Sequence, residues 1–305
     1  TVYSLVDYNY SYLPANAVLL KLIRRHRGRF KISCCVSGML LDKLEHWQKP
    51  VLESFRRLAD TGCAEFVCGP HYHSLASMFS PEEFREQVAL HRRRIRSLFG
   101  QVPRTFRDTD AAVGIGTARI VEAMGFRVIL AGGAVRPAGV EATALYRPEG
   151  CRKVSVLYRH DGLSDEMARL CPGEGRSAGE LALSLKETFR GDEIVNLFLG
   201  YETSGPGIAA LLESLPGRVL KQRAWRFETP GEAAARHRPT GEVELPEPAR
   251  PSAPLQKDAL NTLYAMEGRL RATGGKTFFD AWRNLQASDH FESMNTESPS
   301  DGAVR

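Results

Sequence analysis

Residues 47–69 read "WQKPVLESFRRLADTGCAEFVCG". Apolar side chains recur at helical spacing up to Gly62, and a short β-rich run follows at once and stops at Gly69. One helix and one strand joined by a single glycine form the repeating unit of a parallel sheet, and the rest of the fold is read by asking how often the unit recurs.

It recurs in both directions. Upstream, "LPANAVLLKLIRRHRGRF" (13–30) has helical spacing and leads into the β-rich "KISCCVSGML" (31–40). Downstream, "SPEEFREQVALHRRRIRSLFG" (80–100) opens on a Ser-Pro cap and closes on Gly100, and "TFRDTD" (105–110) reads as the next strand. Helix 117–126, strand 127–133, strand 153–159, helix 178–189 and strand "EIVNLFLGYE" (193–202) continue the rhythm. Such alternation predicts an α/β fold with parallel strands and helices outside, open or closed into a barrel. Chemistry in these folds sits at the carboxyl ends of strands. The informative residues are therefore Gly69 to His73, Arg107 to Asp110, Arg159 to Asp161, and Gly200 to Glu202.

After residue 239 the composition changes. The Pro-rich 240–254 reads as a linker or extended crossing, 255–294 as a helical segment packed on the barrel by apolar stripes that include Leu263 and Trp282, and 295–305 as a polar frayed tail.

Composition narrows the function. The chain has 305 residues, 43% of them hydrophobic and 25% charged, with a net charge of +5 and no apolar run of membrane-spanning length. The basic residues fall on helix faces without aromatic interleaving, which argues against a nucleic-acid partner. No charged-then-apolar leader is present, and the six cysteines lack C-x-x-C spacing, so they read as reduced, buried thiols in a cytoplasmic protein with neither a disulfide frame nor a metal.

In extended chain, His71 and His73 point the same way, as do Asp108 and Asp110. The histidines suit substrate binding or a metal pair; the aspartates suit acid–base work or turn capping. Glu202 is the first carboxylate beyond the run that ends at Gly200.

"YSYLPAN", "FKISCCVSGMLLDKLE", "LADTGCAEFV", "HYHSLASM", "SLFGQVPRTFRDTD", "EIVNLFLGYET", "LPGRVLK" and "WRNLQASDHF" occur in the order and spacing of the α-amylase-like branch of glycoside hydrolase family 57. The resemblance runs from about residue 3 to 294. It implies an incomplete parallel (β/α)7-type barrel (residues 1–239) followed by a C-terminal helical segment, and a retaining glycosidase acting on an α-glucan or maltooligosaccharide without a cofactor. It places the nucleophile on Asp110, where the family has Glu, and the acid/base on Gly200, where the family has Asp. It assigns substrate contacts to His71, His73, Asp108, Tyr201, Asp289 and His290.

The departures from the family cluster at the barrel mouth. Gly69 replaces a Glu, Ser204 to Gly207 replace Phe-Gly-Glu-His, and the His-Gln-Pro strand that opens the family barrel has no match from Thr1 onward. The resulting expectation is a degenerate site that binds α-glucans and hydrolyses them poorly. Two other readings stand beside it: an active hydrolase or transglycosylase using Asp110 with Glu202 or Asp108, and a metal-dependent polysaccharide deacetylase suggested by "HSLASMFSPEEF". The deacetylase motif wants a second His four residues after His73, where this chain has Ser77.

Overall fold

The computed structural model describes residues 5–169, 178–188, 194–201, 206–273, 275–292 and 294. The chain runs α1 (Leu5–Arg25), β1 (Ile32–Cys35), α2 (Gly38–Trp47), α3 (Lys49–Asp60), β2 (Ala64–Val67), α4 (Ala76–Phe79), α5 (Pro81–Phe99) and β3 (Thr105–Arg107). It continues through α6 (Ile115–Ala123), β4 (Val128–Ala131), β5 (Leu145–Pro148), β6 (Ser155–Tyr158), α7 (Asp161–Arg169), α8 (Ala178–Thr188), α9 (Pro206–Val219), α10 (Pro230–Arg236) and β7 (Glu242–Val243). Four helices close it: α11 (Pro254–Ala265), α12 (Glu267–Thr273), α13 (Lys276–Asn284) and α14 (Ser288–Glu292).

Strands β1, β2, β3, β4 and β6 lie side by side and parallel, with a single bridge from Cys68 to Phe106 joining the β1–β2 pair to the rest. β5 was not anticipated from the sequence; it pairs antiparallel to β6 and carries β7 on its other edge. The alternation of a strand's faces sorts the core into two layers. Val67, Val128, Leu130 and Leu157 turn inward and meet Ile194 and Phe198. Phe66, Phe106, Ile129, Val156 and Tyr158 turn outward under the helices.

Helix boundaries follow local chemistry. The Ser80 hydroxyl accepts the Glu83 N–H, Pro81 opens α5, and Gly100 closes it at φ 68°. The β-rich run expected through residue 40 stops at Cys35, because Ser37 caps a helix that starts at Gly38. A side chain at 38 would displace the His71 ring, since its Cβ would fall 2.0 Å from His71 Nδ1.

The strand expected over 193–202 is absent from its described part, 194–201, which carries no ladder. That segment is held by single bonds, from Ile194 N–H to Thr143 O before β5 and from His160 N–H to Asn196 O after β6, and it ends at Tyr201, whose hydroxyl meets Cys34 of β1. The barrel is therefore incomplete. Its amino-terminal end is plugged by α10, whose Gly231 N–H donates to Glu65 Oε2 at 2.9 Å. The Pro-rich stretch lies along the barrel, with β7 paired to β5 and Ile115 N–H donating to Leu245 O.

The carboxyl-terminal helices are joined to α5 by buried charge. Glu83, 0% exposed, takes Arg283 on both oxygens at 2.8 and 2.9 Å and Arg271 at 3.1 Å. Leu260, Leu263, Trp282 and Phe291 pack with Leu75, whereas Met266, Phe278 and Leu285 of the same segment stay exposed. Four of the described cysteines are buried thiols; Cys35 is exposed, contrary to expectation, because it ends β1 at the open mouth, and Cys171 lies outside the described residues.

Candidate functional site

The loop after β2 turns on Gly69. A Cβ there would sit 2.5 Å from Arg107 O, so the backbones of the β2 and β3 ends approach too closely for any side chain. His91 Nδ1 lies 3.1 Å from both the N and O of Gly69, and burial lowers the His91 imidazole to about 4, keeping it neutral.

The two histidines beyond Gly69 separate. His71 is 2% exposed, its Nε2 2.9 Å from Asp42 Oδ2, and it ties α2 to the loop. The chain then turns, and His73 takes a left-handed φ of 52°. Burial lowers the His73 pKa, while the Asp110 and Asp289 carboxylates raise it. The expected common face for His71 and His73 is corrected: the segment is a turn, and only His73 looks toward Asp110.

The same correction applies to the aspartates. β3 stops at Arg107, and Thr109–Ala111 form a 3-10 turn in which Asp110 is left-handed at φ 56°. Asp108 points inward, 2% exposed, its Oδ1 accepting the Thr109 N–H at 2.9 Å. Burial pushes its carboxyl up to about 7, with the Ser77 hydroxyl and Thr109 N–H working against the rise and the Asp110 charge adding to it. Asp110 stands exposed. The Thr109 hydroxyl fixes the turn by donating to Ser74 O at 2.7 Å.

A third wall comes from α14. Ser288 N–H donates to His73 O at 2.9 Å, and Ser74 bridges Ala287, which seats Asp289 beside the loop. Glu292 lies three residues on, on the same helical face as Asp289. Its pKa is raised by burial and by the Asp110 and Asp289 charges, so His73, Asp110, Asp289 and Glu292 form one electrostatic cluster. Glu292 escaped the sequence reading, although its i,i+3 spacing from Asp289 was visible there. His290, on the next face, is exposed.

Arg107, the last residue of β3, places its Nη1 3.7 Å from Cys35 Sγ and its guanidinium carbon 5.2 Å from the Phe198 ring centre, and its charge acts on His73. Tyr201 turns away from the cluster. Its hydroxyl donates to Asn16 Oδ1 at 2.8 Å and its ring packs 4.6 Å from Tyr12 and 5.8 Å from Phe55. Gly200 precedes it and offers backbone only, and Glu202 lies outside the described residues. Among the described residues no three His, Cys, Asp or Glu side chains are placed to hold a metal ion.

Residues 3–246 match the model of a protein family described as glycosyl hydrolase family 57. The chain belongs to that family. A relative from Methanocaldococcus jannaschii, provisionally named an alpha-amylase, is 29% identical over 253 residues, 78% of this family 57 chain and 53% of the relative. The chain thus spans about half the length of that protein. Among solved structures, the alpha-amylase of Thermotoga maritima superposes with a TM-score of 0.71 at 11% identity, covering 98% of this chain and 86% of the other. A family 57 branching enzyme from Thermococcus kodakaraensis gives 0.70 at 14%, covering 93% and 80%. The 4-alpha-glucanotransferase of Thermococcus litoralis gives 0.69 at 18%, covering 91% and 44%. At these identities the likeness establishes the shared fold, the family 57 barrel in its incomplete form.

Proposed function

We propose that this family 57 chain recognises an α-glucan at the barrel mouth and that its retaining hydrolytic site is impaired. The observation that carries the reading is the pairing of an exposed Asp110 at the nucleophile position with a bare backbone at Gly200, the acid/base position. Retaining cleavage needs two carboxyl groups about 5–5.5 Å apart, one attacking and one protonating the leaving oxygen. Asp in place of Glu withdraws the nucleophile by one carbon–carbon bond, about 1.5 Å, and a misplacement near 1 Å costs on the order of 10²-fold. Loss of the general acid removes roughly a further 10²–10⁴-fold. His73, Asp110 and Asp289, with Arg107 and the Phe198 ring beneath it, supply the polar groups and the aromatic surface that a saccharide needs.

One observation favours a second reading, an active hydrolase or transglycosylase in which Asp110 is the nucleophile and Asp108 or Glu202 the acid. A carboxyl held at about 7, as Asp108 is, keeps roughly half its population protonated at neutral pH, which a general acid can use. Its 2% exposure argues against reach to a substrate. Calorimetric titration with maltoheptaose, followed by product analysis of the same mixture, separates the two. Binding without cleavage supports the impaired site. Cleavage lost in Asp108→Asn establishes the second reading, and absence of both binding and cleavage removes the α-glucan from the account.

A further inference from the structure

The end of the barrel opposite the mouth carries a cleft of about 480 Å³ between the turn that enters β1, the 220–228 segment and α10. Lys31 immediately precedes β1, and α10 plugs the barrel floor, so this cleft shares no wall with the His73–Asp110 cluster.

Charge in the cleft is unbalanced. Five cationic side chains face two carboxylates, Glu228 and Glu232. Both carboxylates are already engaged. Glu232 pairs with Lys31 and closes the α10 capping box on the Thr229 N–H, and Glu228 pairs with Arg236 and with His237 at 3.4 Å. Arg226 reaches Glu228 only at 4.0 Å. Arg29 and Arg223 form no ion pair with another described residue and remain as surplus positive charge in the cleft lining. Trp225 lines the same cleft beside Phe227, whose ring is fixed edge-on against Phe30 at 4.9 Å.

Guanidinium groups bind phosphate oxygens in pairs, and an indole face accepts a sugar ring. The volume lies within the range of small-molecule sites. We propose that this cleft binds a small sugar phosphate, with the phosphate between Arg29 and Arg223 and the ring against Trp225. The inference does not depend on α-glucan recognition or on catalysis at the mouth.

The test is titration of the full chain with glucose 6-phosphate, glucose and inorganic phosphate, read by calorimetry and by tryptophan fluorescence. Glucose 6-phosphate should bind, glucose should not, and inorganic phosphate should bind at least tenfold more weakly. Arg29→Ser and Arg223→Ser, both at exposed positions, should each weaken glucose 6-phosphate at least tenfold while leaving the thermal midpoint and maltoheptaose binding unchanged. Trp225→Ala should weaken glucose 6-phosphate but not inorganic phosphate. No binding of glucose 6-phosphate by the unmodified chain, or binding untouched by both arginine variants, overturns the proposal. Equal affinity for inorganic phosphate and glucose 6-phosphate overturns the sugar assignment.

Discussion

Asp108 and Asp110 are two residues apart and face opposite environments, the first 2% exposed against the Thr109 N–H and the second exposed at φ 56°. The 3-10 turn between them converts what would be a shared strand face into one inward and one outward carboxyl. Of the two, only Asp110 is exposed to solvent.

The inward carboxyl makes stability depend on pH. Asp108 has a folded pKa of about 7 against an ordinary 3.8, so the folded state holds a proton that the unfolded chain releases. Stability is therefore lost as pH rises from about 4 to 7. Asp108→Asn should unfold at higher urea than the unmodified chain at pH 8, by up to about 4 kcal/mol, and the gain should shrink toward zero at pH 4. An equal effect at both pH values would contradict the buried, protonated carboxyl.

His91 acts with the opposite sign. Its folded pKa of about 4 lies below the ordinary 6.5, so its contribution is intact above about 6.5 and is lost as pH falls toward 4. His91→Gln should flatten the acid limb of a stability profile between pH 6.5 and 4. An unchanged limb would mean that His91 is not held neutral.

Glu83 and Arg283 join the barrel to the helices that carry Asp289. Arg283→Ala leaves a fully buried carboxylate with less compensation and should cost about 3–5 kcal/mol in denaturant unfolding. It should also raise protease cleavage within 257–292 if the pair holds α13 in place. A cost below about 1 kcal/mol would show that Arg271 and Gln87 satisfy Glu83 alone.

Much of this architecture was legible in the sequence, because glycine stops and Ser-Pro caps mark helix and strand ends chemically, as at Gly62, Gly69, Ser80 and Gly100. The mouth was less legible. Whether Asp108 and Asp110 share a face depends on where β3 ends, and that end is set by the Thr109 hydroxyl bonding to Ser74 O, 35 residues away. The direction of His71 depends on Gly38, and the place of Glu292 on α14 docking to His73; both are tertiary contacts that no local pattern announces. β5 was missed because an antiparallel strand breaks the helix–strand rhythm from which the others were read.

Repair tests the role given to positions 110 and 200. Asp110→Glu with Gly200→Asp should recover part of the hydrolysis of an aryl maltoside, and either change alone should recover little, because the two groups act as a unit. Adding Gly69→Glu should abolish the gain, since a Cβ at 69 collides with Arg107 O. Full recovery from one single change would refute the paired-carboxyl account.

The most direct measurement is intact-mass analysis of the unmodified chain after incubation with an activated fluoro-maltosyl substrate, which traps a retaining nucleophile as a covalent adduct without much help from an acid. An impaired site predicts no adduct, with the Asp110→Glu, Gly200→Asp variant labelled at residue 110. An adduct on Asp110 of the unmodified chain would contradict the account, for Asp110 would then be a working nucleophile.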